Sequence, residues 1–206
     1  MTRAIWPGPA ESASNADWRD LPFQDESFDC VVCDGGLHLL DYTGSQRGMS
    51  ATLARILKRG GQFIIRLFAL PDPSECAATV LADLKAGKIP NIHILKLRMG
   101  MALQPSCESG VVLQHVYDKI TVEFGGLDEL QMATGWPRKE VFTLSSYQFS
   151  TDRYHFTTRD QSIAILSSSG SLGLEHYLES RYPLGERCPV LSFRKNHSHE
   201  PTFRHR

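Results

Sequence analysis

A strand–helix–strand pattern punctuated by glycine pairs constrains this chain most. Phe28-Asp29-Cys30-Val31-Val32-Cys33 is a short β-branched and aromatic run, suited to a strand buried on both faces, and it ends in Asp34-Gly35-Gly36. From Gln46 to Arg59, Met49, Leu53, Ile56 and Leu57 recur at helical spacing. Gly60-Gly61 follows and predicts the left-handed cap that ends such a helix. Gln62 to Phe68 is a second apolar strand. Two strands joined through a helix form a parallel pair, because only a crossover of that length returns the chain in the same direction. The expected class is therefore α/β, with any ligand outside the carboxyl ends of the strands.

The remainder extends this pattern. Met1 to Ile5 reads as the end of a helix stopped by Pro7 and Gly8, and Pro73 to Gly87 as a further helix. Ile89 to Gly135 is mostly helical, with breaks at Pro105 and Gly125-Gly126. Strand character returns over Glu140 to Tyr147, an extended stretch over Tyr154-His155-Phe156, and a helix over Arg159 to Ser167. Ser167 to Gly173 reads as loop, and Cys188 to Phe193 as a final short strand. Residues 194–206 hold three His, three Arg and one Lys with little to bury, which predicts a disordered tail.

At 206 residues the chain has room for one α/β domain and hardly for two. Its net charge of -1 argues against broad attraction to nucleic acid or an anionic membrane surface. No apolar run is long enough to span a bilayer, and the first nine residues do not read as a signal peptide. Five scattered cysteines, an odd number, suit reduced thiols and a cytoplasmic location. Cys30 and Cys33 form a C-x-x-C, but residues three apart on a strand point to opposite faces, and no second pair completes a zinc site. They read as small buried hydrophobes. His197 and His199 in the tail would chelate a metal only weakly, and no metal is expected.

Asp17-Trp18, Leu21-Pro22-Phe23, Ser27-Phe28-Asp29, Asp34-Gly35-Gly36-Leu37-His38 and Leu57-Lys58-Arg59-Gly60-Gly61 occur in one order at natural spacings. As an ordered set they resemble the second half of a class I S-adenosylmethionine (SAM)-dependent methyltransferase, over roughly Met1 to Phe68. The resemblance implies a Rossmann-like sheet with flanking helices over residues 1–193, lacking the first strands, with a helical insertion over 70–139 before the last strands. It implies that the Asp17 carboxylate and the Trp18 N–H meet the adenine of SAM. Asp34, Gly35 and Gly36 would face its methionine part, with His38 beside the cofactor or the acceptor. On their own, Asp17 would read as a turn cap and His38 as a core contact.

The family's Gly-rich loop and ribose-binding acid would fall upstream of Met1, so weak SAM binding is expected of residues 1–206. Arg66, Trp136, Tyr147 and the run from Tyr182 to Pro189 are candidates to line a small-molecule acceptor site, with packing or a salt bridge as the plain alternative. Methyl transfer from a sulfonium needs alignment and exclusion of water, with a base optional, so no catalytic residue is assigned. Three readings stay open: a methyltransferase with its start upstream, an inactive fragment or interaction module, and another nucleotide-binding α/β protein such as a dehydrogenase. The last lacks a dinucleotide fingerprint.

Overall fold

The computed structural model describes residues 15–179 and 181–196; the expectations for Met1 to Ile5 and for His197 and His199 lie outside them. Strand β1 (Phe28–Asp34) leads through a 3-10 helix (Leu37–Leu39) to α1 (Gly44–Ile56) and β2 (Leu57–Arg66). β1 and β2 are parallel, in register from Cys30 opposite Gln62 to Asp34 opposite Arg66. The sheet is completed by β7 (Leu172–Leu178) and β8 (Val190–Lys195) in the order β1-β2-β8-β7, both added pairings being antiparallel. This mixed sheet with flanking helices is the Rossmann-like α/β arrangement that the sequence predicts.

One face of the sheet is dry. Phe63, Ile65, Leu191 and Phe193 pack against Met49, Leu53 and Ile56 of α1 and Leu166 of α7 (Arg159–Leu166). Thr158 starts α7 with a capping box to Gln161. The other face departs from the expected burial on both sides. Val32 is 65% exposed, and in the same row of the sheet Ile64 and Ser192 are half-buried and His176 exposed. The two cysteines divide accordingly, Cys33 buried and Cys30 exposed, so only Cys33 is the small buried hydrophobe expected. An alternating strand and a doubly buried one differ only in what covers the second face, and the side chains of so short a run do not record that.

Other expectations are corrected. Gly60-Gly61 does not cap α1, which ends at Ile56; the pair sits inside β2, where Phe28 faces Leu57 but Cys30 already faces Gln62. The extra residues form a bulge, and a Cβ on Gly61 would lie 2.8 Å from the Lys58 carbonyl oxygen and 3.2 Å from those of Phe28 and Asp29. Glu140 to Tyr147 is not a strand but helix α6 (Arg138–Val141) and a 3-10 helix (Phe142–Tyr147). Its fully buried Val141 and Leu144 are three apart, a helical spacing, and Thr143, Ser145 and Ser146 return hydroxyl bonds to carbonyls one turn back. β7 begins inside the segment expected as loop, because its pairing with β8 offsets its glycine. Arg194 and Lys195, expected in the tail, belong to β8. Arg194 bonds the Glu175 carboxylate and the Gly60 carbonyl, and Lys195 the Leu57 carbonyl.

A second core lies among α2 (Ala77–Lys85), α3 (Ile92–Leu103), α4 (Leu113–Phe124), α5 (Leu127–Thr134) and the Phe142–Tyr147 turn, built on Val80, Leu95, Met99, Val116 and Leu130. Two short ladders form outside the main sheet: β3 (Ala69–Leu70) with β6 (Thr157–Thr158), and β4 (Val111–Val112) with β5 (Arg153–Tyr154). No helix among the described residues is long and apolar enough to cross a membrane.

Backbone surrounds Gly61, so no flexible side chain can yield to a methyl group there. Gly61→Ala is expected to cost about 1–3 kcal/mol, which at this chain length lowers the melting temperature by several degrees; circular dichroism melts check it. Among the described residues β1 is an edge carrying exposed Val32. Val32→Lys is expected to reduce self-association in light scattering while leaving the melt unchanged.

Candidate functional site

The site begins where β1 and β2 end. Gly35 turns the chain at a φ of 69°, donates its N–H to the Arg66 carbonyl at 3.0 Å, and could not carry a Cβ, which would sit 2.7 Å from the Phe68 ring. The 3-10 helix that follows carries His38. The fully buried Gln46 amide pins this segment by donating to the carbonyls of Leu37 (3.2 Å), Leu40 (3.2 Å) and His155 (3.3 Å). His155 N–H in turn donates to the His38 carbonyl at 2.8 Å.

Aromatic rings enclose the His38 imidazole. It stacks on Phe156 at 5.2 Å and meets Tyr154 edge-on at 4.7 Å and Phe68 at 5.1 Å. Burial among these rings pulls its pKa down to about 4, so the imidazole is neutral at ordinary pH. Its Nδ1 is buried and has no hydrogen-bond partner among the described residues. A neutral ring with an unsatisfied nitrogen can exchange a hydrogen bond with whatever occupies the space beside it.

That space is a cavity of about 400 Å³ between the strand ends and the helical layer. His38, Arg66 and Phe68 line it from the sheet side, and Tyr147, Tyr154 and Phe156 from the segments after α6. Helix α3 contributes His93, Ile94, Lys96 and Leu97, four positions on one helical face. Tyr182, Pro183, Leu184 and Cys188 form the lip. Burial and the neighbouring Tyr154 push the Tyr147 hydroxyl well above its usual pKa, so it stays protonated. The Lys96 ammonium lies 5.0 Å over the Tyr147 ring and donates to Thr143 Oγ1 at 3.2 Å, and burial lowers its pKa.

Ion pairs frame the cavity. Arg66 reaches the Asp34 carboxylate at 2.5 and 3.1 Å, approaches the Tyr182 hydroxyl at 3.4 Å, and lies over the Phe68 ring at 5.5 Å. Deeper in, Glu75 accepts from Arg98 of α3 and from Arg187 of the lip, both nearly buried. Burial alone would raise the Glu75 pKa, but the two guanidinium groups outweigh it and hold the carboxyl below its usual value. This knot ties the lip to α3.

The six residues singled out by resemblance fall into two groups. Asp34, Gly35, Gly36 and His38 sit together at the end of β1, with Asp34 engaged by Arg66. Asp17 and Trp18 lie beside α1, where Thr52 Oγ1 bonds the Arg19 carbonyl at 2.7 Å. Among the described residues no hydrogen bond or ion pair joins the groups. The Asp17 carboxylate accepts from the Arg19 N–H (2.8 Å) and guanidinium (2.6–3.0 Å), which holds its pKa down to about 2.

Of the expected acceptor-site residues, Arg66, Tyr147 and, from the run Tyr182 to Pro189, Tyr182, Pro183, Leu184 and Cys188 line the cavity. Trp136 packs in the second core instead, and Glu186 and Arg187 line a neighbouring groove. Sequence reasoning missed Phe68, Tyr154, Phe156 and the α3 face; for α3, the His93–Leu97 spacing was the available signal. Among the described residues no group of three or more His, Cys, Asp or Glu could hold a metal ion.

A family model described as a methyltransferase domain matches residues 7–65. No curated protein matches by sequence. Among solved structures, a protein from Rhodobacter sphaeroides whose name assigns it to the Zn-dependent alcohol dehydrogenases is 14% identical. Its TM-score is 0.51 over 88% of this chain and 65% of its own, so this chain spans less than two thirds of it. A SAM-dependent methyltransferase from Methanosarcina mazei is 14% identical, with a TM-score of 0.47 over 95% of this chain and 74% of its own. A loganic acid methyltransferase with SAH is 12% identical, with a TM-score of 0.49 over 97% and 71%. At 14% identity the likeness to the Rhodobacter sphaeroides protein is one of fold alone.

The burial of His38 makes stability depend on pH. The unfolded chain takes up a proton near pH 6.5, whereas the folded imidazole resists it until about pH 4. This contribution is therefore intact above 6.5 and is lost as the pH falls toward 4, at about 1.4 kcal/mol per pH unit. His38→Phe, which keeps a ring in the box, is expected to flatten that part of the profile in denaturant unfolding followed by fluorescence. An unchanged slope would show that His38 is not held neutral.

Proposed function

We propose that this chain serves SAM-dependent methyl transfer to a small-molecule acceptor held in the aromatic cavity. One observation carries the reading: the residues matched to a methyltransferase domain span β1, α1 and nearly all of β2, and the cavity opens at the carboxyl ends of those strands. That edge is where open α/β sheets bind ligands, and the cavity volume suits a small molecule. SAM, when bound, would supply an already activated methyl group. The protein's part is then to bind, orient and exclude water.

The residues at the strand ends fit such a cofactor. Asp34 keeps most of its carboxylate in solvent despite Arg66, and His38 offers a buried nitrogen without a hydrogen-bond partner among the described residues. In this reading Asp34, Gly35, Gly36 and His38 hold the methionine part, and the Asp17 carboxylate and Trp18 N–H hold adenine. Arg19 already fills the acceptor positions of Asp17, so adenine recognition requires Arg19 to swing aside. Both partners are exposed, and an exposed pair of this kind is readily exchanged. A second reading, a methyltransferase-like interaction module, draws on the open sheet face, where Val32 and Leu178 are 65% and 64% exposed.

Saturation-transfer NMR of SAM with the 206-residue chain distinguishes the two, because it registers binding as weak as millimolar. Transfer to the adenine protons is expected, displaced by S-adenosylhomocysteine. Asp17→Ala should weaken it roughly tenfold, while Arg19→Ala should preserve or strengthen it. No transfer at millimolar SAM would discard the methyltransferase reading.

A further inference from the structure

Among the described residues, one cation of the cavity has no carboxylate partner. Arg66 is neutralised by Asp34, and the buried Arg98 and Arg187 share Glu75, with Asp83 adding to Arg98. Lys96 has only the Thr143 hydroxyl and the face of Tyr147; among the described residues no carboxylate lies within 4.0 Å of its ammonium. An ammonium has three N–H donors, so further donors remain for a ligand. A half-buried charge without a counter-charge is costly, and elsewhere in this interior each such cation has its carboxylate.

The rest of the lining specifies the body of the ligand. From Lys96 the rings continue as a contact series: Tyr147 to Tyr154 at 6.1 Å, Tyr154 to His38 at 4.7 Å, and His38 to Phe68 at 5.1 Å. Such a wall favours flat apolar surface by stacked and edge-on contacts. Rings also attract cations, but here a ligand cation would meet Lys96, which already lies over Tyr147. A neutral ligand would leave the ammonium uncompensated.

We infer that the cavity takes a small, flat, apolar molecule bearing one negative charge, with its anionic group on Lys96 and its body against the rings around His38. This rests on the reading of the cavity as the acceptor site, and it narrows the acceptor to an aromatic or similarly planar anion.

The test is a titration of the 206-residue protein with three probes of one shape: naphthoate, naphthylmethanol and naphthylmethylammonium. Naphthoate is expected to bind at least tenfold tighter than the alcohol, and the ammonium weakest. Lys96→Met should erase the preference for naphthoate while leaving the alcohol's affinity unchanged, and Lys96→Arg should retain it. The three-probe ranking on the unaltered protein stands even if a variant fails to fold. Equal or tighter binding of the ammonium, a naphthoate preference that survives Lys96→Met, or no binding by any probe at millimolar concentration would overturn the inference. SAM binding is measured separately. If SAM fails to bind but the naphthoate ranking holds, methyl transfer is discarded and the anion site stands; if SAM binds and the ranking fails, only this inference falls.

Discussion

Parallel pairing of β1 with β2 is the constraint on which the site depends. Because the strands run the same way, their carboxyl ends leave the sheet side by side, and the last register pair, Asp34 opposite Arg66, stands at the edge of the cavity. Gly35 bonds back to Arg66, and Leu67 N–H bonds the Pro189 carbonyl at 2.9 Å, so both strand ends are tied to each other and to the lip. A slip of one residue would turn Phe63 and Ile65 out of the dry face and carry Asp34 away from Arg66. Hydrophobic register and site geometry are thus one choice.

Polar groups inside this apolar frame act as fasteners. Gln46 holds three carbonyls from two separate parts of the chain, and Glu75 joins α3 to the lip. Buried polar groups are nearly always partnered. The buried side-chain atoms without a hydrogen-bond partner among the described residues are therefore informative: Gln46 Oε1, His155 Nε2 (3.5 Å from the Asp41 carboxylate), Arg187 Nε and Ser192 Oγ sit among otherwise bonded groups or on the half-buried sheet face, whereas His38 Nδ1 belongs to a ring of the cavity wall.

The two faces of the sheet are unequal for a physical reason visible in the core. α1 and α7 cover Phe63, Ile65, Leu191 and Phe193, while the row of Val32, Ile64, Ser192 and His176 mixes apolar and polar side chains and has no layer over it among the described residues. The ion pairs of Arg194 with Glu175 and of Lys58 with Asp29 are partly or largely exposed. Such pairs contribute little to stability, which leaves the covered face and the second core to hold the fold.

Local sequence by itself determined the strand–helix–strand unit, the helices between Pro73 and Gly135, the helix from Arg159 and the final strand, because apolar period and glycine act over a few positions. It also placed Asp34 to His38 at a strand end, and with them His38 of the cavity wall. Only tertiary structure decided the rest. Gly60-Gly61 became a bulge because Phe28 and Asp29 press on it from the neighbouring strand; β7 became a strand because β8 supplied its hydrogen bonds; Glu140 to Tyr147 became helical because Val141 and Leu144 share one core. The cavity was least legible of all. Phe68, Lys96, Tyr147 and the Tyr154–Phe156 segment come from four places in the chain, and their common cavity exists only because two separate cores bring those places together.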